Sequence, residues 1–316
     1  AIPPTPAKQS SELNIPEAAV GQLTGLGAHV TISLRLASET LWASAGHEVA
    51  WGQFSLPVEA PRSVGYAVHS HADLMDFEDG IIVAGQKHGF EISTVTGRLL
   101  DWTWDGRELL SEGPALSFFR AVTDNDRALG VKGQWEGPDL KHYTSKLMDL
   151  KLDQEGETVK AVATVRMLPP NQRRGHDCRY EYTSLPTGAL IVRVSGEPVG
   201  PWGDNDILLR IGLDLTLPGE MERVSWYGLG PGESYPDTFE AQRMGHWQGD
   251  IDDLSTPYVY PQENGTRSRV RWVTIADDRG RGLIAAGMPE LCFSARRCTV
   301  DDLDAATHMN ELVTRD

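Results

Sequence analysis

Apolar and polar residues alternate along residues 29–37 (HVTISLRLA) and again along residues 48–57 (EVAWGQFSLP). A period of two residues is typical of a strand that buries one face and exposes the other. The four residues between the two runs, SAGH at 44–47, include residue types that favour turns. The pattern therefore predicts two neighbouring strands of a small β-sandwich.

From residue 80 onward the apolar runs are short and rich in β-branched and aromatic residues, and Gly, Pro, Asp or Asn closes each of them. This composition favours strands joined by tight turns. The sequence therefore predicts an all-β chain whose larger part is an antiparallel sandwich. The runs concerned are residues 81–86, 88–110, 159–167, 188–196, 206–217, 268–277 and 282–288.

Changes in pattern divide the chain into four parts. Residues 1–16 are rich in Pro and Ser and predict an extended lead-in, and residues 62–74 carry little pattern and predict a linker. The first sandwich is expected at 17–61 and the larger one at 75–316. Helical spacing of apolar residues occurs only at 300–312, where Thr299 is a plausible N-cap.

Composition narrows the classes of partner. The 316 residues include 45 acidic and 29 basic ones, for a net charge of −16, and no basic run is present. Nucleic acids and anionic membranes are therefore poor partners. No apolar stretch has the roughly 20 residues of a membrane-spanning helix, and residues 1–16 lack signal-peptide order. We expect a soluble protein in the cytoplasm.

The cysteine content predicts neither disulfides nor a cysteine metal site. Cys178, Cys292 and Cys298 are three in number, and no two of them form a CxxC pair. We therefore expect reduced, buried thiols.

The densest polar cluster lies at residues 120–130, RAVTDNDRALG, which we call the TDND segment. Its acceptor side chains lie between two arginines, and a following glycine could act as a hinge. Such a segment can hydrogen-bond sugar hydroxyls, although an Asx-rich turn that satisfies its own backbone is the alternative. The residues are Arg120, Asp124, Asn125, Asp126, Arg127 and Gly130.

Aromatic residues collect in two regions that are rich in Gly and Pro, residues 226–245 and 256–272. Their flat faces could stack on pyranose rings. The alternative is that these rings plug the end of a sandwich from its loops. The aromatic residues are Trp226, Tyr227, Tyr235, Tyr258 and Tyr260.

Carboxylates and histidines give weaker signals. Glycosidases need two carboxyl groups about 5–5.5 Å or about 6.5–9.5 Å apart, and Glu233, Asp237, Glu263, Asp124 and Asp126 could form such pairs on paper. Most carboxylates are solvated or belong to turns. His69 and His71 could share a metal, but no third ligand has suitable spacing.

Several of these motifs also appear, in the same order, in a known family. The TDND segment, YGLGPGESYPD (227–237), TPYVYPQENG (256–265) and ATHMNEL (306–312) resemble landmarks of glycoside hydrolase family 2 β-galactosidases. Upstream, residues 41–56 resemble the end of the preceding domain. The resemblance covers nearly the whole chain, and it corresponds to the C-terminal portion of these enzymes.

The resemblance implies a fold and a division of labour. Residues 17–61 would belong to an immunoglobulin-like sandwich and residues 75–316 to a galactose-mutarotase-like supersandwich that lacks its last strands and the family's sugar-platform tryptophan. The family's two catalytic glutamates and its metal ions, magnesium and sodium, lie on a barrel N-terminal to this region. The resemblance therefore implies no catalytic residue, metal or cofactor in this chain.

The resemblance also gives the TDND segment a role. It is similar to a mobile loop that closes over the galactose pocket and positions the sugar, although ALG after TDNDR lengthens the stretch before Gly130. Residues in the later motifs would stack on sugar or support the loop. These are Trp226, Tyr235, Tyr258, Glu263 and Asn264.

The leading hypothesis is an accessory module or small subunit of a β-galactosidase. Its partners would be a catalytic domain or large subunit and galactosides, in an oligomer. One alternative is a stand-alone carbohydrate-binding module. Another is a sugar-active or lactone-active enzyme that reuses the sandwich.

Overall fold

The computed structural model describes residues 5–6, 8–12, 14, 28–56, 73–76, 80–85, 87–130, 139–204 and 206–315. The chain forms two compact units, Ala1–Gly65 and Tyr66–Asp316. The predicted boundaries at 16, 61 and 74 fall on or beside residues outside the described set, and they stay predictions.

The first unit contains a two-stranded antiparallel hairpin. Strand β1 (Ala28–Arg35) pairs with β2 (Glu48–Leu56), with Ala28 opposite Leu56 and a register shift at Leu34/Arg35. The alternation of apolar and polar residues therefore predicted both strands and their pairing. The immunoglobulin-like assignment of this unit stays a prediction.

The second unit is built almost entirely from strands, as the short apolar runs predicted. Its strands are β3 (Asp73–Asp76), β4 (Gly80–Ala84), β5 (His88–Ser93), β6 (Leu99–Trp104), β7 (Arg107–Leu110), β8 (Glu112–Ser117), β9 (Thr144–Glu155), β10 (Thr158–Leu168), β11 (Gly175–Ser184), β12 (Leu190–Val199), β13 (Gly212–Thr216), β14 (Arg223–Gly230), β15 (Arg243–Asp250), β16 (Arg267–Ala276) and β17 (Gly282–Phe293).

These strands form four antiparallel sheets. Among the described residues the orders are β3-β4-β5-β6-β7, β13-β8, β12-β11-β10-β9 and β15-β14-β16-β17. The all-β, sandwich-forming fold class is therefore confirmed. The mutarotase-like assignment stays a prediction.

Two apolar cores hold the sheets. The larger core joins β4–β6, β8, β10 and β11, and its fully buried side chains include Val83, Ile92, Val165, Tyr180 and Tyr182. Tyr180 and Tyr182 lie on the inward face of β11 because side chains two residues apart share a face of a strand. The smaller core lies on one face of the β14–β17 sheet, around Trp226 and Val270.

The α-helices among the described residues are short. Helix α1 spans Asp124–Ala128 and α2 spans Val300–Ala305, with Thr299 as its N-cap, as predicted. The prediction of one helix over 300–312 is wrong, because α2 ends at Ala305 and a separate 3₁₀ turn spans Met309–Glu311. The carboxylate of Glu311 accepts hydrogen bonds from Thr307 and His308, so local side-chain bonds start a new turn.

Other differences from the sequence pattern have local causes. Only Gly212–Thr216 of the predicted strand 206–217 is a strand. Asp206 instead accepts hydrogen bonds from the backbone N–H of Gly203 and from Arg174, which forms a turn.

Cys178 is buried as expected, whereas Cys292 is exposed and Cys298 half-buried. All three are unpaired thiols. Among the described residues, no helix has the length and apolar character needed to cross a bilayer.

We expect Gly97→Ala to destabilise the second unit because the new methyl group has no room. Gly97 has a φ of +71°, and an added Cβ would lie 2.9 Å from side-chain atoms of Ala163, Leu147 and Val165. Gly156→Ala is the matched control, since its φ is also positive but no atom lies within 4 Å. Urea unfolding should show that Gly97→Ala costs about 1–3 kcal/mol more than Gly156→Ala. Equal losses would contradict the packing described around Gly97.

The turn between β16 and β17 should lose stability in acid. Side-chain and backbone hydrogen bonds from Arg281, with a further one from the N–H of Arg279, lower the pKa of Asp277 to about 2. A carboxyl whose pKa falls on folding stabilises the fold above its unfolded pKa, and this contribution disappears as the pH drops through the folded value. Asp277→Asn should therefore lower the melting temperature at pH 7, with the deficit shrinking towards pH 2. Asp153→Asn, at an exposed position on β9, is the control and should not show this trend.

Candidate functional site

The TDND segment follows β8 and contains a capped helical turn. Thr123 caps α1, its hydroxyl accepting from the N–H of Asp126 while the Asp126 carboxylate accepts from the N–H of Thr123. This reciprocal capping box explains why residues 124–128 form a helix, where the sequence predicted a loop or an Asx turn. Gly130 follows with a φ of +65° and open space around it, which fits the predicted hinge position.

An ion pair fixes the start of this segment. Arg120 donates to both carboxylate oxygens of Asp126, at 2.6 and 3.3 Å. Burial raises the pKa of Asp126, but the hydrogen bonds from Arg120 and Thr123 outweigh it and leave the pKa below its ordinary value. Asp126 therefore acts as an ionised acceptor that holds its own helix, not as a proton donor.

A reciprocal pair of hydrogen bonds helps to join the TDND segment to residues 256–265, which we call the PQENG segment. The N–H of Asp124 donates to Oε1 of Gln262 at 2.9 Å, and Nε2 of Gln262 donates to the Asp124 carboxylate at 3.1 Å. The two residues are 138 positions apart in the chain. We call this reciprocal pair the Asp124–Gln262 clamp.

Arg127 strengthens the contact between the two segments. Its guanidinium lies 3.7 Å from the ring centroid of Tyr260 and donates to the carbonyl of Pro261 and to the carboxylate of Asp124. A guanidinium over an aromatic face is attracted by the electrons of the ring. One face of the Tyr260 ring is therefore covered by protein and is not available to a sugar.

The PQENG segment is in turn held by a buried carboxylate. The side chain of Glu263 is 1% exposed, and its Oε1 accepts from Arg210 at 2.5 Å, Tyr235 at 3.0 Å and Arg296 at 3.2 Å. Two arginines on different parts of the chain thus compensate one buried charge. Burial, followed by the negative charge of Glu263, raises the pKa of Tyr235 above its ordinary value, so the phenol stays protonated and donates.

Glu233 ties a third segment, residues 231–237, to the same place. Its carboxylate accepts from the hydroxyls of Tyr258 and Thr256 and from the N–H of Gly265. The hydrogen bond to Glu233, with burial adding to it, raises the pKa of Tyr258 to about 12. Glu233 is therefore a structural acceptor that anchors both ends of the PQENG segment.

Arg267 closes the base of the cluster. Its buried guanidinium donates to the carbonyls of Leu254, Gly265 and Pro231 and lies over the ring of Trp226. Trp226 is 2% exposed, inside β14, and its indole N–H donates to the carbonyl of Leu229. A ring so buried cannot stack on a sugar. At Trp226 the structure fits a supporting role within the core.

The other candidates lie in varied surroundings. Asn125 is exposed, and Asn264 is half-buried, its side chain accepting from the N–H of Thr256 and donating to the carbonyl of Gln262. Tyr227 lies in β14 opposite His246 and Trp272, and Asp237 is exposed. His69 and His71 lie outside the described residues.

No group of three or more His, Cys, Asp or Glu side chains suited to a metal occurs in the described ranges. Four of the five candidate carboxylates have structural roles, and the fifth, Asp237, is exposed. Asp126, Glu233 and Glu263 accept hydrogen bonds that organise the protein, and Asp124 belongs to the clamp. The arrangement can therefore build a rigid, hydrogen-bonding surface more readily than an acid/base pair.

Four residues that hold this site together were not predicted from the sequence: Gln262, Arg210, Arg267 and Arg296. Gln262 lies within a motif that was noticed, but an amide gives no signal of a partner 138 residues away. Arg210 lies in a run that had the apolar pattern of a strand. The need for Arg210 at this position becomes clear only in the folded chain, where its guanidinium pairs with the buried carboxylate of Glu263.

Two models of known protein families match most of the chain. The model of a family described as β-galactosidase small chain matches residues 84–316, and a model described as β-galactosidase domain 4 matches residues 1–57. The domain 4 match lies within the first unit, and the small-chain match lies within the second unit.

Curated relatives agree with these matches. A β-galactosidase of Priestia megaterium is 30% identical over 292 residues, which cover 91% of this chain and 27% of that protein. Similar values hold for β-galactosidases of Vibrio cholerae, at 29% identity with 91% and 28% covered, and of Lactobacillus delbrueckii subsp. bulgaricus, at 30% identity with 89% and 27% covered. The chain spans about a quarter of the length of these relatives.

We expect Gln262→Ala to loosen the TDND segment, because it removes both hydrogen bonds of the Asp124–Gln262 clamp. Hydrogen–deuterium exchange should speed up at residues 123–128, with a loss of global stability of about 1–2 kcal/mol. Asn125→Ala is the control, because it changes an exposed side chain of the same helix. Unchanged exchange in Gln262→Ala would mean that the clamp does not hold the segment.

Proposed function

The chain belongs to the β-galactosidase small-chain family, and on that basis we propose that it is the accessory C-terminal module of a β-galactosidase. In this proposal the TDND segment, held against the PQENG segment, completes a galactoside pocket whose catalytic residues lie on another segment or chain. The module positions sugar and takes no part in proton transfer.

The observation that carries the proposal is the Asp124–Gln262 clamp. Two segments 138 residues apart are joined by reciprocal hydrogen bonds and by the Arg127 contact with Tyr260. Ordering polar surface segments costs conformational entropy, which several hydrogen bonds and a buried ion pair offset here. A surface held this firmly suits a binding role, because preorganised groups lose less entropy when they bind.

Exposed apolar side chains on the TDND and PQENG segments support contact with another protein segment. Leu129, beside α1, is 76% exposed, and Val259, in the PQENG segment, is 92% exposed. Asp124 and Asn125 are also exposed and offer acceptors to hydroxyl groups. Apolar side chains beside polar acceptors fit a surface that meets both protein and sugar.

The family resemblance extends the proposal to partners that this chain does not contain. The partner is a catalytic domain or large subunit, whose barrel would carry the glutamates and the magnesium and sodium ions. A cytoplasmic location and an oligomeric assembly are part of the same proposal. No observation on the described residues favours a stand-alone binding module or a separate sugar-active or lactone-active enzyme over it.

The first test is the activity of the 316-residue chain by itself. We expect no hydrolysis of nitrophenyl galactoside, because Asp126, Glu233 and Glu263 are engaged as structural acceptors and glycoside hydrolysis needs a free pair of carboxyl groups. Weak binding of galactose without turnover, unaffected by a catalytic segment, would favour the stand-alone binding module. Turnover by the isolated chain that a carboxylate substitution in this chain abolishes would overturn the proposal.

The second test uses the chain joined to, or mixed with, the catalytic segment of the same source. Asp126→Ala should lower kcat and raise KM together, because loss of the Arg120 pair and the helix cap misplaces the TDND segment. Asp149→Ala on β9 is the control for loss of a carboxylate elsewhere. If the kinetics of Asp126→Ala match those of the control, the TDND segment does not contribute to the galactoside pocket.

A further inference from the structure

Strand β12 (Leu190–Val199) has an open edge. It hydrogen-bonds to β11 on one side, and no described strand pairs with its other side. The strand is ten residues long, and an exposed edge of that length is a template for another strand. Pro198 lacks an N–H and shortens the usable edge, which leaves residues up to Glu197.

Two charges on this edge have no ion-pair partner among the described residues. Arg193 and Glu197 lie four residues apart on the exposed face, with Ser195 midway between them. Arg193 lies opposite Glu181, which already binds Lys160 and Arg179. Glu197 lies opposite Asp177, a like charge that is already engaged by Arg166.

The spacing of these charges makes the edge complementary to itself. In an antiparallel pair of two β12 strands centred on Ser195, Arg193 of each copy lies opposite Glu197 of the other. Directly opposed side chains on an antiparallel pair approach within about 5 Å, so two ion pairs form by symmetry. On the other face, Val194 of each copy lies opposite Gly196, which has no side chain to obstruct it.

The side of β12 that faces the interior is apolar and open. A cleft of about 400 Å³ is lined by Val194, Ser195, Gly196 and Pro198 of β12, with Phe118, Trp202 and Leu208 among its other lining residues. Ile211, which also lines the cleft, is 72% exposed, and Leu213 in β13 is 37% exposed. A strand added at the edge would bring apolar side chains next to this cleft.

We propose that β12 is a self-association edge, through which two copies of this chain pair as antiparallel strands centred on Ser195. The pairing extends the sheet β12-β11-β10-β9 into an eight-stranded sheet across a twofold axis. The inference does not depend on the proposed function, because it rests only on the edge, its charges and the cleft.

Charge reversal tests the pairing directly. Sedimentation velocity over a wide range of concentrations would compare the natural chain with Arg193→Glu, Glu197→Arg and the double variant. Each single reversal places like charges opposite each other twice in the dimer, so we expect roughly tenfold weaker association. The double variant restores both ion pairs and should return the association to within about threefold of the natural chain.

Two controls separate pairing from folding. Glu197→Arg places a cation opposite Asp177, so this variant should fold at least as well as the natural chain, as its circular dichroism and melting temperature would report. Glu155→Arg makes the same substitution at an exposed position on the opposite edge strand, β9, and should leave association unchanged. Added salt should weaken the natural dimer and narrow the gap to the single variants.

Three results would overturn the proposal. These are a natural chain that is monomeric at every concentration, a dimer that neither single reversal weakens, and a double variant no better than the single ones. The last two results would mean that the copies associate through a surface other than β12.

Discussion

The candidate site depends on compensating one buried negative charge. The Glu263 side chain is 1% exposed, and its removal from water is tolerated because Arg210, Arg296 and the hydroxyl of Tyr235 all donate to it. Each donor comes from a different part of the second unit. Because Gln262 precedes Glu263, fixing this carboxylate also fixes the amide that clamps the TDND segment.

The local pattern predicted much of the fold, whereas pairings between distant residues were out of its reach. Period-two alternation predicted β1 and β2, and short apolar runs closed by turn residues predicted many of the later strands. Residues 206–211 belonged to one of these runs, yet Asp206 forms a turn there. Likewise, the glycines around Trp226 suggested a loop, but Gly228 and Gly230 belong to strand β14 together with Trp226.

The sequence predicted the motifs of the candidate site but not how their side chains contact one another. Asp124, Asp126, Tyr235, Tyr258, Glu263 and Asn264 do meet in one region, together with Arg120. Their roles differ from the stacking and acid/base chemistry considered first, because hydrogen bonds within the protein occupy most of them. Gln262 and the two arginines that pair with Glu263 could not be foreseen, since burial of this carboxylate is a property of the folded chain. The chain spans about a quarter of the length of its β-galactosidase relatives, and the supporting role remains our proposal.

In the function that we propose, the buried charge of Glu263 acts on sugar through the TDND segment. A double-mutant cycle of Glu263→Gln and Asp124→Ala, measured on kcat/KM of the chain joined to its catalytic segment, tests this coupling. We expect the double variant to lose less than the sum of the single losses, with a coupling of about 1 kcal/mol or more, because both substitutions release the same segment. Losses that add to within about 0.5 kcal/mol would contradict it, since the two residues would then act independently.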